Sequence, residues 1–164
     1  MTKFTKQQVI LALLRITLGL IFLWAFFDKV LGLGFATTAD KSWLLGNSPT
    51  LGFLKLGTKG PLAVFYQSIA GNPVVDWLFM LGLLGIGLAL ILGMGIKIAS
   101  YSGTLLMILM WSAALPPKNH PFLDEHIVYA LALISMNYVK AGHYFGLGKW
   151  WSSTKLVKKH PILE

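Results

Sequence analysis

The stretch Arg15 to Lys29, RITLGLIFLWAFFDK, decides how this chain is read. Its middle is apolar enough for lipid, yet it opens on an arginine and closes on an adjacent Asp28-Lys29 pair. A charged side chain at the centre of a spanning helix costs roughly 2.5 to 3.5 kcal/mol on insertion scales, so each needs a protein interior, a partner or an escape to the interface. The run from Val9 to Phe27 is interrupted only by Arg15. At about 1.5 Å per residue, about 20 residues cross a hydrocarbon core roughly 30 Å thick, which predicts one span over residues 9–31. Asp28 and Lys29 are consecutive and point about 100° apart, so they do not pair face to face.

Composition agrees with a membrane setting. The chain has 164 residues, of which 55% are hydrophobic and 12% charged, too little polar surface to cover a soluble core. The absence of cysteine excludes a disulfide frame, a thiolate nucleophile, Cys-ligated zinc and a Cys-held iron–sulfur cluster. Lys3 and Lys6 before the first apolar run resemble the start of a signal peptide, but the run is too long and lacks a small-residue cleavage site. It reads as a retained anchor, in a single membrane domain over 1–164.

From Leu31 to Pro73 the pattern breaks into glycines, prolines and scattered charges with Trp43, Phe53, Phe65 and Tyr66 between them. A connection this long is expected to fold as a cap over residues 36–72. Within it, Pro61 to Ala70 is apolar but too short to cross, which suits an interfacial or re-entrant helix with Pro61 in its first turn. Trp77 to Ile96 carries no charge and follows Pro73 and Asp76, predicting a second span over 74–96. Gly85, Ala89 and Gly93 repeat every four residues and are expected to form its packing face. Lys97 marks a short turn before a third span at 98–115, where Ser100 and Thr104 define a polar face toward other helices. The fourth span, 124–146, has a short apolar core, so its helix is expected to run on past Lys140, with that lysine snorkelling. The tail holds Lys149, Trp150, Trp151, Lys155, Lys158 and Lys159, with its tryptophans at the depth of interface anchors.

Four crossings put both termini and Lys97 on one side, with Arg15, Lys140 and the basic tail, opposed there only by Glu164. Asp28, Asp40, Asp76, Asp124 and Glu125 all fall on the other side. The positive-inside rule then makes the termini cytoplasmic and the cap extracytoplasmic, in a multi-pass plasma-membrane protein. The net charge of +8 is explained by anionic lipid, without nucleic acid.

Two groups on the acidic side are candidate sites. Asp28 and Lys29 either line a polar pocket under the cap or anchor a helix end, where lysine suits the negative dipole. His120, Asp124, Glu125 and His126 gather at the start of the fourth helix. Asp124 has an ordinary helix-start role, whereas His126 beside a carboxylate suits proton transfer near neutrality. The spacing matches no recognised metal site. Arg15 either snorkels or binds an anion or a quinone carbonyl between helices.

Arg15-x-x-x-Gly19 followed by Phe22, Trp24 and Lys29, the aromatic segment Trp43 to Gly60, and NHPFLDEH at Asn119 to His126 together resemble DoxX-like membrane proteins. Within that family they are most similar to the DoxD-type subunit of thiosulfate:quinone oxidoreductase. The resemblance implies an all-α integral membrane four-helix bundle with a cap between the first two spans. It further implies oxidation of thiosulfate to tetrathionate on the outer side, quinone as electron acceptor, and a second oxidoreductase subunit as partner. On this reading Asp28, Lys29, Glu125 and His126 are the catalytic candidates, with Arg15, Trp43, Lys118 and His120 on the substrate side. Membrane lipid and a homo-oligomer are the other expected partners. No electron-carrying cofactor site is legible beyond the quinone itself. The alternative is a non-catalytic membrane scaffold or a small-molecule and lipid binder whose polar cluster holds the cap closed.

Overall fold

The computed structural model describes residues 4–164; Lys3, counted above with the terminal basic residues, lies outside them. Helix α1 spans Lys6–Leu31 and begins earlier than the hydropathy suggests, because Thr5 and Gln8 form a capping box. The Thr5 hydroxyl accepts the Gln8 amide at 3.3 Å, and the Thr5 amide donates back to Gln8 Oε1 at 2.9 Å. Gly32 ends the helix in the left-handed region.

Three further long helices follow. Helix α2, Ala63–Ser68, is only one and a half turns and starts after Pro61 rather than on it. Helix α3 covers Pro73–Leu92, opened by Asn72, whose side chain accepts the Val74 amide at 2.9 Å. Helix α4 covers Ile96–Ala113 and helix α5 covers Glu125–Tyr138. The turn between α3 and α4 is Gly93 to Gly95, so Lys97 sits inside the first turn of α4 instead of marking the turn. Short helices α6 (Gly148–Ser153) and α7 (Lys155–Lys159) close the chain. Among the described residues there is no strand, and three helices (α1, α3 and α4) are long and apolar enough to cross a membrane. That is the constitution of an all-helical membrane protein.

The long helices are antiparallel neighbours. Gly19 faces Gly87 and Ile91, and Leu23 packs over Gly87, so α1 and α3 approach through Gly19 and Gly87. Gly85 has open space where a Cβ would stand and drops out of the expected packing face, whereas Ala89 packs against the core and Gly93 lies close against Gly142. The contact with α1 is displaced by two residues from Gly85, about 200° around the helix. Gly103 of α4 touches Leu133 of α5, and Thr104 donates to the Ala130 carbonyl at 3.2 Å, as its polar-face position suggests. The core between these helices holds Leu18, Phe22, Met80, Leu90, Leu133 and Met136, all buried.

The expected helix through residue 146 is not found. Lys140 has φ of 48° and the chain turns through a 3₁₀ segment, Ala141–His143. The reason is close packing: Gly142 and Gly148 lie against each other and against the Gly93 carbonyl, and a Cβ on Gly148 would stand 2.7 Å from that oxygen. Lys140 is exposed and pairs with Glu164 at 3.1 Å.

Candidate functional site

Arg15 is the most deeply buried charged residue, with no exposed surface, so it does not snorkel. Its Nη1 donates to the Leu90 carbonyl and, at 3.1 Å, to that of Ile91; its Nη2 donates to Tyr144 and Phe145, each at 3.0 Å. The first two are carbonyls that the end of α3 leaves without intrahelical partners. The remaining two at that end are also met, Ala89 by the amides of Gly93 and Met94, and Leu92 by the amide of Leu147 at 2.8 Å. The C-terminus of α3 is thus completely capped, half of it by a side chain from another helix. The partly negative end of the helix dipole offsets the cation. Glycine is required beside the guanidinium, since a Cβ on Gly93 or Gly146 would lie 3.0 Å from an Nη atom.

Asp28 is buried at the other end of α1, about 20 Å along the axis. Its two carboxylate oxygens accept the amides of Phe35 and Ala36 at 3.2 and 3.0 Å, clasping the loop that follows the helix. No ion pair joins it to Lys29 among the described residues; the Lys29 ammonium lies 5.9 Å from the ring centre of Phe79. Asp76, read from sequence as a helix-start signal, is buried in the first turn of α3 and accepts the Ser48 hydroxyl at 2.8 Å, the Thr50 amide at 3.3 Å and the Thr50 hydroxyl. Tyr66 donates to the Leu109 carbonyl at 3.1 Å. The 32–72 connection is therefore fastened to α1, α3 and α4 by three separate polar contacts.

His126 is held by Asp124 rather than by Glu125 or Asp28. Asp124 caps α5, accepting the His126 amide at 3.0 Å, while its other oxygen lies 2.9 Å from Nδ1 of the His126 ring. Both side chains are mostly buried, at 17% and 12% exposure. Glu125 is exposed in the first turn. His120 Nδ1 accepts the amides of Phe122 and Leu123 at 3.1 and 3.0 Å, which shapes the loop before α5. Lys118 is exposed in that loop, and Trp43 packs edge-on against Trp77 at 4.7 Å between ring centres. Among the described residues no three His, Asp or Glu side chains are grouped as metal ligands. The sequence-predicted residues thus divide among separate places, with no hydrogen bond or ion pair joining Asp28, Asp76 and the Asp124–His126 pair among the described residues.

At the Arg15 end, His143 lies 3.7 Å from Glu164. A cleft of about 430 Å³, open along one side, lies between α3 and α4, a size common for ligand sites. Its walls include Gly82, Gly85 and Ala89 of α3 and Ile98 and Ser102 of α4, and Trp151 and Leu163 close one end. Nothing in the sequence marked this cleft; its one trace was the glycine run taken for a packing face. Comparison with known proteins returned no matching family model, no matching curated protein and no matching solved structure.

Proposed function

We propose that this chain is a non-catalytic membrane protein that holds a lipidic molecule in the α3/α4 cleft. The observation that carries the reading is the cleft itself, a mostly apolar furrow of ligand size flanked by two helices that are long and apolar enough to span. The polar interior supports it. The terminal nitrogens of Arg15 and the carboxylates of Asp28 and Asp76 spend their hydrogen bonds on the chain's own backbone and hydroxyls, as structural side chains do, with Arg15 Nε left without a partner among the described residues. In this reading α5 and the turn after it make a fourth crossing of a four-helix bundle, residues 32–72 form an extracytoplasmic cap, and both ends of the chain face the cytoplasm. The cysteine-free chain makes the topology simple to test: an impermeant maleimide applied to intact cells labels Lys118→Cys and spares Lys155→Cys. The opposite labelling would overturn the orientation. For the cleft, Gly85→Leu with Ala89→Leu removes co-purifying lipid from detergent-extracted protein; unchanged lipid content in the folded variant rejects the reading.

One observation favours the second reading, a quinone-linked oxidoreductase subunit acting on thiosulfate. The Asp124–His126 pair is a mostly buried imidazole oriented by a carboxylate, the arrangement a proton-transfer group requires. The protein, with any co-purified second subunit, would then reduce a soluble quinone with thiosulfate. His126→Ala would lower that rate by roughly 10² or more. Absence of quinone reduction, both with and without a co-purified second subunit, sinks this reading.

A further inference from the structure

We infer that the α3/α4 cleft is selective for an anionic phospholipid, with an acyl chain along α3 and the headgroup phosphate held by the lysines of α7. The inference rests on the proposed occupancy of the cleft and adds the chemical class of its occupant.

The walls suit a hydrocarbon chain. Gly82 and Gly85 leave open space where side chains would stand. Across from them, the Ser102 hydroxyl turns back to the Ile98 carbonyl at 2.8 Å, so that wall presents no free donor. The furrow runs along α3 from Leu81 to Ala89, about 12 Å at 1.5 Å per residue, and continues past Met94 in the turn that follows. At the closed end Trp151 Nε1 donates to the Leu163 carbonyl, so the indole also spends its donor within the protein.

Charge selects the headgroup. Trp151 and Leu163 bracket α7 in sequence, and α7 carries Lys155, Lys158 and Lys159, all exposed and without an acid partner among the described residues. Glu164, the acid beside them in sequence, pairs with Lys140. The lysines do not line the furrow themselves; they belong to the short segment between its two closing residues, and cationic side chains so tethered to an apolar furrow complement an anion attached to a hydrocarbon tail. A second copy of the chain fits less well, because a symmetric pairing through this face would bring two uncompensated lysine clusters together.

The test uses the full-length protein in neutral detergent, offered phosphatidylglycerol and phosphatidylcholine, with bound lipid counted by native mass spectrometry. Wild type retains phosphatidylglycerol about tenfold or more over phosphatidylcholine, given the attraction of three surface lysines. Lys155→Gln/Lys158→Gln/Lys159→Gln erases that preference by lowering phosphatidylglycerol retention to the phosphatidylcholine level, the loss being larger for the lipid with net negative charge. Gly85→Leu/Ala89→Leu lowers retention of both lipids, and Ser102→Leu repeats the result from the opposite wall should the first variant misfold. A preference that survives the triple substitution overturns the headgroup assignment while leaving the cleft reading in place. Undiminished retention in the folded cleft variants overturns both. Cross-linking of two copies through Gly85→Cys, with no lipid retained, overturns the assignment in favour of a dimer face.

Discussion

Replacing Arg15 by methionine removes a buried cation of similar length and leaves four backbone carbonyls without their donor. A hydrogen bond to a charged group is worth about 1.5 to 3 kcal/mol net, so the four together amount to about 6 kcal/mol at the low end. Against this, the variant no longer carries the desolvation cost of a buried ion, which is several kcal/mol after relaxation. The balance leaves Arg15→Met less stable by about 3 kcal/mol, at the low end of the cost of breaking a buried charged arrangement. Arg15→Lys should lose about half as much, because an ammonium can serve one pair of carbonyls but lacks the planar fork that reaches both. Equilibrium unfolding of the purified protein in mixed detergent with rising dodecyl sulfate, followed by helical circular dichroism, measures both. If Arg15→Met equals wild type within about 0.5 kcal/mol, or lysine and methionine are equivalent, the capping account is wrong. Unchanged stability together with loss of a bound molecule would instead return Arg15 to the ligand role suggested by its sequence position.

Asp76→Ala leaves the Ser48 and Thr50 donors unpaired and should cost about 1 to 3 kcal/mol, with faster hydrogen exchange concentrated in residues 46–60 while α4 and α5 stay protected. Gly148→Ala drives a methyl into the Gly93 carbonyl and should destabilise by about 1 to 3 kcal/mol, whereas Gly85→Ala, facing open space, changes thermal stability by less than about 0.5 kcal/mol.

The three longest helices were legible because a spanning segment announces itself by length and absence of charge. Their ends were less so, since a capping box at Thr5 and a left-handed Gly93 act through local hydrogen bonds that hydropathy ignores. The glycine register on α3 was misread for a physical reason. A repeat of small residues marks a face but does not say whether the face meets a helix or is left open, and only the partner's Gly19 and Leu23 decide in favour of Gly87. Asp124 and Thr104 were readable from position alone. The roles of Arg15, Asp28 and Asp76 were not, because their partners lie 7 to 130 residues away and most are backbone atoms, which carry no residue signature.

The break after α5 and the burial of Arg15 explain each other. In lipid, backbone that leaves the helical pattern is tolerated only where protein supplies the missing hydrogen bonds. Helix α5 stops after 14 residues, about 21 Å. Residues 139–147 continue at the level where α3 ends, and both segments therefore expose carbonyls at one depth. A carboxylate could not serve them, since carbonyls need donors, and a lysine has too compact a head to reach four oxygens from two chain segments. A guanidinium has parallel N–H pairs on its two terminal nitrogens, and here each pair serves one segment. The arginine is stable in the interior because it answers the two polar breaks around it. Its removal should accordingly loosen α3's end and the 139–147 turn together, as one cooperative unit in hydrogen exchange. Independent opening of the two would mean that the turn is held by its glycine packing alone.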